Sequence, residues 1–147
     1  MRTLRNTTAL GDRSELEVAA ALTRSGRTAL RPLSAGLRYD LAVDNNDGTI
    51  RRIQCNTGIL KSGAVYFRAY NADGRRPNGV PYRGQVEAFG VFCPQTGCVY
   101  VVPLAALASV STARLRIGAA RNGQVKGVLF AQDFVLGAGH VDDASPL

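Results

Sequence analysis

Histidine is almost absent: the 147-residue chain has one, His140, in a stretch rich in Gly and Asp. Ser-His-Asp or Cys-His catalysis and the histidine-based nucleases need an imidazole in the folded core. A lone histidine in such a tail excludes them. Cysteine is scarce too. Cys55, Cys93 and Cys98 are an odd count, which a reducing compartment keeps as thiols. Cys93 and Cys98 flank a four-residue turn, Pro94 to Gly97, and could face each other across a hairpin as buried thiols. Zinc wants about four Cys/His ligands, so this supply argues against it. Catalysis, if any, falls to carboxylates, Lys and a metal.

Long apolar runs are also missing. The stretch around Val99 to Val110 is too short to span a bilayer and is broken by Pro103. Met1 to Leu10 lacks the apolar run and cleavage site of a secretory signal. The expectation is a protein inside the cell, in the cytoplasm or on the nucleoid, without a membrane partner. Acidic residues are few: 18 Lys+Arg against 11 Asp+Glu give a formal net charge of +7, which favours a polyanionic partner. The length suits a single domain over 1–136, and the Gly, Asp, Ser and Pro of 137–147 suggest a flexible C-terminal tail.

The pattern predicts a helix over Ser14 to Ser25, with Gly11-Asp12 at its entry and Gly26 as its stop. A short strand follows over Thr28 to Leu33. Tyr39 to Asp44 alternates, with Leu41 and Val43 on one face and Asp40, Ala42 and Asp44 on an acidic outer face. Asn45-Asn46-Asp47-Gly48 is turn chemistry, and Thr49 to Thr57 alternates again with Ile53 and Cys55 inward. A three-residue loop Asn46-Asp47-Gly48 with a left-handed glycine pairs Asn45 with Thr49. Leu41 then opposes Ile53 and Asp40 opposes Gln54; a four-residue loop would put Asp40 beside Ile53, against the alternation. Further on, Ala64 to Tyr70 reads as a strand, Asn71 to Gly84 as a polar loop, and Ala88 to Cys93 with Cys98 to Val102 as a second hairpin. A helical stretch is expected over Leu104 to Ser109 and a last strand over Val128 to Phe130.

Directly opposed residues bring their Cβ atoms to about 5 Å, so Asp40 and Gln54 form a pair of oxygen donors, with Asn56 two residues beyond on the same face. Glu15 shares a helix face with Val18, Ala19 and Leu22 and points toward the sheet. Glu17 lines up with Arg13, Ala20, Ala21 and Arg24 as the solvated side. Such oxygen ligands suit a hard cation such as Mg²⁺, which polarises a phosphate and activates a water.

The run Gly11 to Ala19, then Arg31-Pro32, Tyr39-Asp40-Leu41 and Arg52-Ile53-Gln54-Cys55-Asn56-Thr57-Gly58, resembles the group I intron-associated PD-(D/E)XK endonucleases. The likeness continues through Phe89 to Gly97, Val99 to Pro103 and Arg121 to Gln124, and covers most of the chain. It implies an α/β PD-(D/E)XK nuclease fold, a central mixed β-sheet flanked by helices, and a homing-type or resolvase-like DNA endonuclease. Glu15, Asp40 and Gln54 would then hold Mg²⁺, and the lysine of the motif would steer the attacking water. The chain departs there: where the family pattern reads Gln-X-Lys-Thr-Gly, it has Asn56. An amide donates hydrogen bonds but supplies no positive charge to the developing phosphorane. The expectation is an impaired or inactive catalytic centre. Asn56 is explained by an engineered inactivating change, by a natural non-catalytic DNA-binding derivative or by a displaced lysine, with Lys61 nearest; an RNA-processing nuclease is a further alternative.

Lys61, Arg75, Arg76 and Arg83, with Tyr82 interleaved, and a second segment, Arg121, Asn122, Gln124 and Lys126, are the candidate contacts to double-stranded DNA. Cutting both strands calls for two sites, so a homo-oligomer, dimer or tetramer, is expected.

Overall fold

The computed structural model describes residues 7–69, 84–107, 112–118 and 127–136. Helix α1 (Thr7–Arg24) is followed by strands β1 (Thr28–Leu30), β2 (Leu41–Asp44), β3 (Ile50–Thr57), β4 (Ile59–Lys61), β5 (Ala64–Arg68), β6 (Ala88–Cys93), β7 (Cys98–Pro103) and β8 (Thr112–Arg116). Five strands form the central sheet in the order β1-β2-β3-β6-β7. β3 and β6 run parallel and the remaining neighbours antiparallel, so this sheet is mixed, as expected. β4-β5-β8 form a second, antiparallel sheet.

The central sheet is covered on both faces. On one, Val18, Ala21 and Leu22 of α1 pack with Leu41, Val43, Ile53, Ala88, Phe92, Val99 and Val101. On the other, Val65, Phe67 and Leu115 of the small sheet pack with Phe89, Val91, Cys93, Tyr100 and Val102. Period-2 alternation divides β6 and β7 between these two cores. That is why β6, Ala88 to Cys93, is buried at every position and reads as an unbroken apolar run. The second face is therefore sealed, among the described residues, by a small sheet rather than a helix.

The α1 boundary differs from the expectation, since Gly11 and Asp12 lie inside the helix rather than at its entry. Both are exposed, and on a solvated face the ~1 kcal/mol propensity cost of glycine is the only penalty. The C-terminal stop is as read: Gly26 has φ 84, with Gly26 N–H donating to Thr23 O and Arg27 N–H to Leu22 O, both at 3.0 Å. That pair of bonds is a Schellman cap. The buried stripe runs Ser14, Val18, Ala21, Leu22, so Ala21 belongs to the core rather than the solvated side, and Glu17 is half-buried. Ser14 is buried because its hydroxyl meets Thr57 Oγ1 at 2.5 Å. Gly90 lets the helix approach: a Cβ there would fall 2.7 Å from Val18 Cγ1 and 3.0 Å from Ile53 Cγ2.

The β2–β3 hairpin has the expected register, Leu41 opposite Ile53 and Asp44 opposite Ile50. Asn45 N–H donates to Thr49 O at 3.1 Å, and Gly48 at φ 89 occupies the left-handed position. Ala42, expected on a solvated outer face, is buried. The strand at Thr28 stops at Leu30 instead of Leu33; Pro32, which lacks an N–H, cannot continue the ladder. Cys93 and Cys98 are directly opposed across β6 and β7, both as free thiols. The stretch from Leu104 is a short 3-10 turn, Leu104–Ala106. Val128 to Phe130 is not a strand; Phe130 makes a single bridge to Arg116. Positions 137–147 lie outside the described residues.

Candidate active site

β2 begins at Leu41, one residue after Asp40, and the change of role at that residue builds the site. Asp40 N–H still donates to Ile53 O at 2.9 Å. Its side chain then turns back, and Oδ2 accepts the N–H of Cys55 at 2.9 Å. A carboxylate thus takes the place of the next backbone acceptor in the ladder, and the β3 donor stays satisfied where β2 leaves it. The register, continued by one residue from Leu41 and Ile53, sets Asp40 opposite Gln54.

Burial pushes the Asp40 carboxyl above the ordinary carboxylate range. The Cys55 N–H pulls it down, and the charge of Glu15 pushes it further up. Burial likewise raises the Cys55 thiol, helped by Asp40 and Glu15, so this cysteine is held as a neutral thiol. Glu15 is therefore near enough to act electrostatically on both residues. It sits beside the buried stripe of α1, with its side chain 21% exposed, and Oε1 accepts from Arg31 Nη2 at 2.7 Å and Nε at 3.1 Å. Asp40 is thus tied to Gln54 by register and to Glu15 by charge.

Ile53 and Cys55 pack on the α1 side, so by alternation Gln54 and Asn56 face the other way. Asn56 is half-buried, and its Nδ2 is buried with no hydrogen-bond partner. Lys61 is not on this strand; it ends β4, exposed, before the Ser62-Gly63 turn. Arg75, Arg76, Arg83, Arg121, Asn122, Gln124 and Lys126 lie outside the described residues.

The sequence reading passed over two neighbours of the site. Arg31, the partner of Glu15, was legible only as part of an Arg-Pro pair. Glu87 makes a two-pronged ion pair with Arg52: Arg52 Nη2 donates to Oε1 at 2.6 Å, and the Arg52 backbone N–H donates to Oε2 at 2.6 Å. β3 is thereby held by a carboxylate on each edge, Asp40 toward β2 and Glu87 toward β6. No spacing in the sequence links residues 35 apart.

Among the described residues no group of three or more His, Cys, Asp and Glu side chains is gathered as a metal cluster. Asp40 and Glu15, close enough for their charges to interact, are nonetheless hard oxygen donors of the kind a small divalent ion takes; Gln54, alternating onto the face away from α1, is not gathered with Glu15. The raised Asp40 supports that fit, because a cation relieves both its desolvation and its repulsion from Glu15. Among the described residues no helix is long and apolar enough to cross a membrane.

The fold is similar to that of a bacterial homing endonuclease, I-Ssp6803I, with a TM-score of 0.64 and 18% identity, over 90% of this chain and 88% of that one. The Holliday junction resolvase Hjc of Archaeoglobus fulgidus aligns at a TM-score of 0.45 and 18% identity, over 73% of this chain and 84% of that one. No curated protein matches the sequence. The sequence model of the PD-(D/E)XK endonucleases matches residues 5–136, nearly the whole chain, and the mixed sheet with α1 packed against it is the matching architecture. The chain belongs to the PD-(D/E)XK endonuclease family.

Proposed function

We propose that this protein is a Mg²⁺-dependent DNA endonuclease of the homing type whose hydrolytic step is crippled by Asn56. The observation that carries the reading is the half-buried Asp40 carboxylate, raised by burial and by Glu15, at the point where β2 and β3 part. Asp40 and Glu15 would be the ligands of the ion, and Arg31 would compete with it for Glu15; Gln54, the expected third ligand, alternates onto the face away from α1. Bound Mg²⁺ supplies charge to the phosphodiester and acidifies a water. The Cys55 N–H fixes Asp40 Oδ2, which would leave the other carboxylate oxygen free to act as a ligand. The position after Cys55 is where the family motif carries a lysine. Asn56 Nδ2 is buried, and an amide at this position adds no charge to the transition state. Duplex DNA as substrate is supported by the net charge of +7, and cleavage of two strands calls for a homo-oligomer, a dimer or tetramer.

The test is Asn56→Lys. Losing one preorganised donor at a reacting oxyanion typically costs on the order of 10²- to 10³-fold in rate. The parent chain should therefore cut duplex DNA poorly, and the lysine variant should gain Mg²⁺-dependent cleavage by a factor of that order, with unchanged affinity. A variant that stays inert on every duplex it binds tightly would make the protein a non-catalytic DNA-binding derivative of the fold. Efficient cleavage by the parent that Lys61→Ala abolishes would assign the lysine role to Lys61.

A further inference from the structure

The small sheet buries Val65, Phe67, Ala113 and Leu115 against the central sheet. Its alternate positions face outward, and their register is fixed: Arg114 opposes Tyr66, Arg116 opposes Ala64, and Lys61 opposes Ala64 from the other side. Three rows result, Lys61-Ala64-Arg116, Ile59-Tyr66-Arg114 and Arg68-Thr112, so four cations and a phenol share this face, on which Ala64 is buried. Neither Ile59 to Arg68 nor Thr112 to Gly118 contains an acidic residue.

This face opens into a cavity of about 600 Å³, lined by Tyr66, Arg114 and Arg116 on the sheet side and by Leu107, Val128 and Leu129 opposite. The far wall is held in place by Arg116 N–H, which donates to Leu129 O at 2.8 Å. Among the described residues, none that lines the cavity is acidic. Arg116 lines the cavity with other atoms, since its Nε is buried and finds no acceptor. A guanidinium stays charged at every accessible pH and presents a planar fork of donors, so a buried Nε without an acceptor is costly.

We infer that the outer face of the small sheet, through Arg114, Arg116 and Tyr66, binds the phosphates of a duplex DNA backbone. The inference rests on the proposal that DNA is this protein's substrate and adds a second contact surface, on a different sheet from Asp40. Arg114 and Arg116 are two residues apart on one strand face, about 7 Å along it, so each can meet a separate phosphate, and Tyr66 flanks Arg114 with a hydroxyl donor. Such contacts position the duplex without reading its sequence.

The experiment measures affinity of the full chain for a duplex of arbitrary sequence across a salt series. Each phosphate contact contributes about 0.9 to the slope of log K against log salt. The double variant Arg114→Gln, Arg116→Gln should flatten the slope by about 2. Because Arg116 is partly buried, Arg114→Gln alone, at an exposed position, serves as the second variant, with an expected loss of about 1; Arg114→Lys should restore it. A folded Arg114→Gln protein with the parent's slope and affinity overturns the inference and leaves the endonuclease proposal standing. A parent chain that binds no duplex DNA overturns both. A deficit seen on duplex RNA but not on DNA also overturns it and assigns the face to RNA.

Discussion

Cys55 donates its backbone N–H to Asp40 Oδ2 at 2.9 Å, so one carboxylate both ends the β2–β3 ladder and stands at the head of the candidate metal site. Structure and chemistry separate on substitution. Asp40→Ala leaves the β3 N–H without its acceptor and should cost about 1–3 kcal/mol in denaturant unfolding. Asp40→Asn keeps an acceptor oxygen and should cost under about 1 kcal/mol. Mg²⁺ should raise the melting temperature of the parent and not of Asp40→Asn, since an ion that binds only the native state stabilises it. Equal stabilisation of both proteins would remove Asp40 from the ligand set.

Glu87 should make stability depend on acid. Burial pushes its carboxyl up, but the side-chain and backbone hydrogen bonds from Arg52 and its charge outweigh that and hold it below its ordinary value of 4.5. A carboxyl lowered on folding adds stability that is present above 4.5 and lost as pH falls through the folded value. Glu87→Gln should thus be less stable than the parent at neutral pH by about 1–2 kcal/mol, discounted for partial exposure. The difference should shrink as the pH drops below 4.5. A pH-independent difference in urea midpoint would show that packing, not the ion pair, is responsible.

Gly90 should tolerate no side chain. The nearest atoms to an added Cβ, Val18 Cγ1 at 2.7 Å and Ile53 Cγ2 at 3.0 Å, belong to the buried contact between α1 and β3. Gly90→Ala should destabilise by about 1–3 kcal/mol, the usual cost of overpacking. Gly11→Ala, at an exposed helical position with nothing within 4 Å, should stabilise by roughly 0.5–1 kcal/mol. Thermal melts of the two variants shifting in the same direction would contradict this packing.

Asn56 should be a burden on the fold. Its Nδ2 is buried and unpaired, and an unsatisfied buried donor costs about 1–3 kcal/mol. Asn56→Val places a strand former there and should raise stability by about 1 kcal/mol, while duplex binding, which depends on cations elsewhere, is unchanged. A destabilised variant would mean that the amide has a partner, such as a buried water.

Local sequence chemistry determined the hairpin at the site. Asn45 to Gly48 fixes the loop, the loop fixes the register, and the register sets Asp40 opposite Gln54, because a slip by one residue would turn Ile53 and Leu41 out of the core. Gly26 as the helix stop, the alternation of β3 and the Cys93–Cys98 hairpin were legible for the same reason: each depends on residues within a few positions of one another. The alternation Thr112-Ala113-Arg114-Leu115-Arg116 carries a strand signal too, which the sequence reading missed.

Tertiary structure alone decided the rest. The helix face was settled by what covers it: Ser14 is inward because Thr57 meets its hydroxyl, and Ala21 is inward because α1 lies closely over Gly90. Arg31 reaching Glu15, Glu87 reaching Arg52, and Asp40 bending back to Cys55 join residues 15 to 35 positions apart. Such contacts leave no periodic trace, because they depend on how strands diverge and not on any local preference of the chain. The small sheet is the largest case, since Val65 and Leu115 acquire an inside only when β6 and β7 lie beneath them, and only then do Tyr66, Arg114 and Arg116 become one surface.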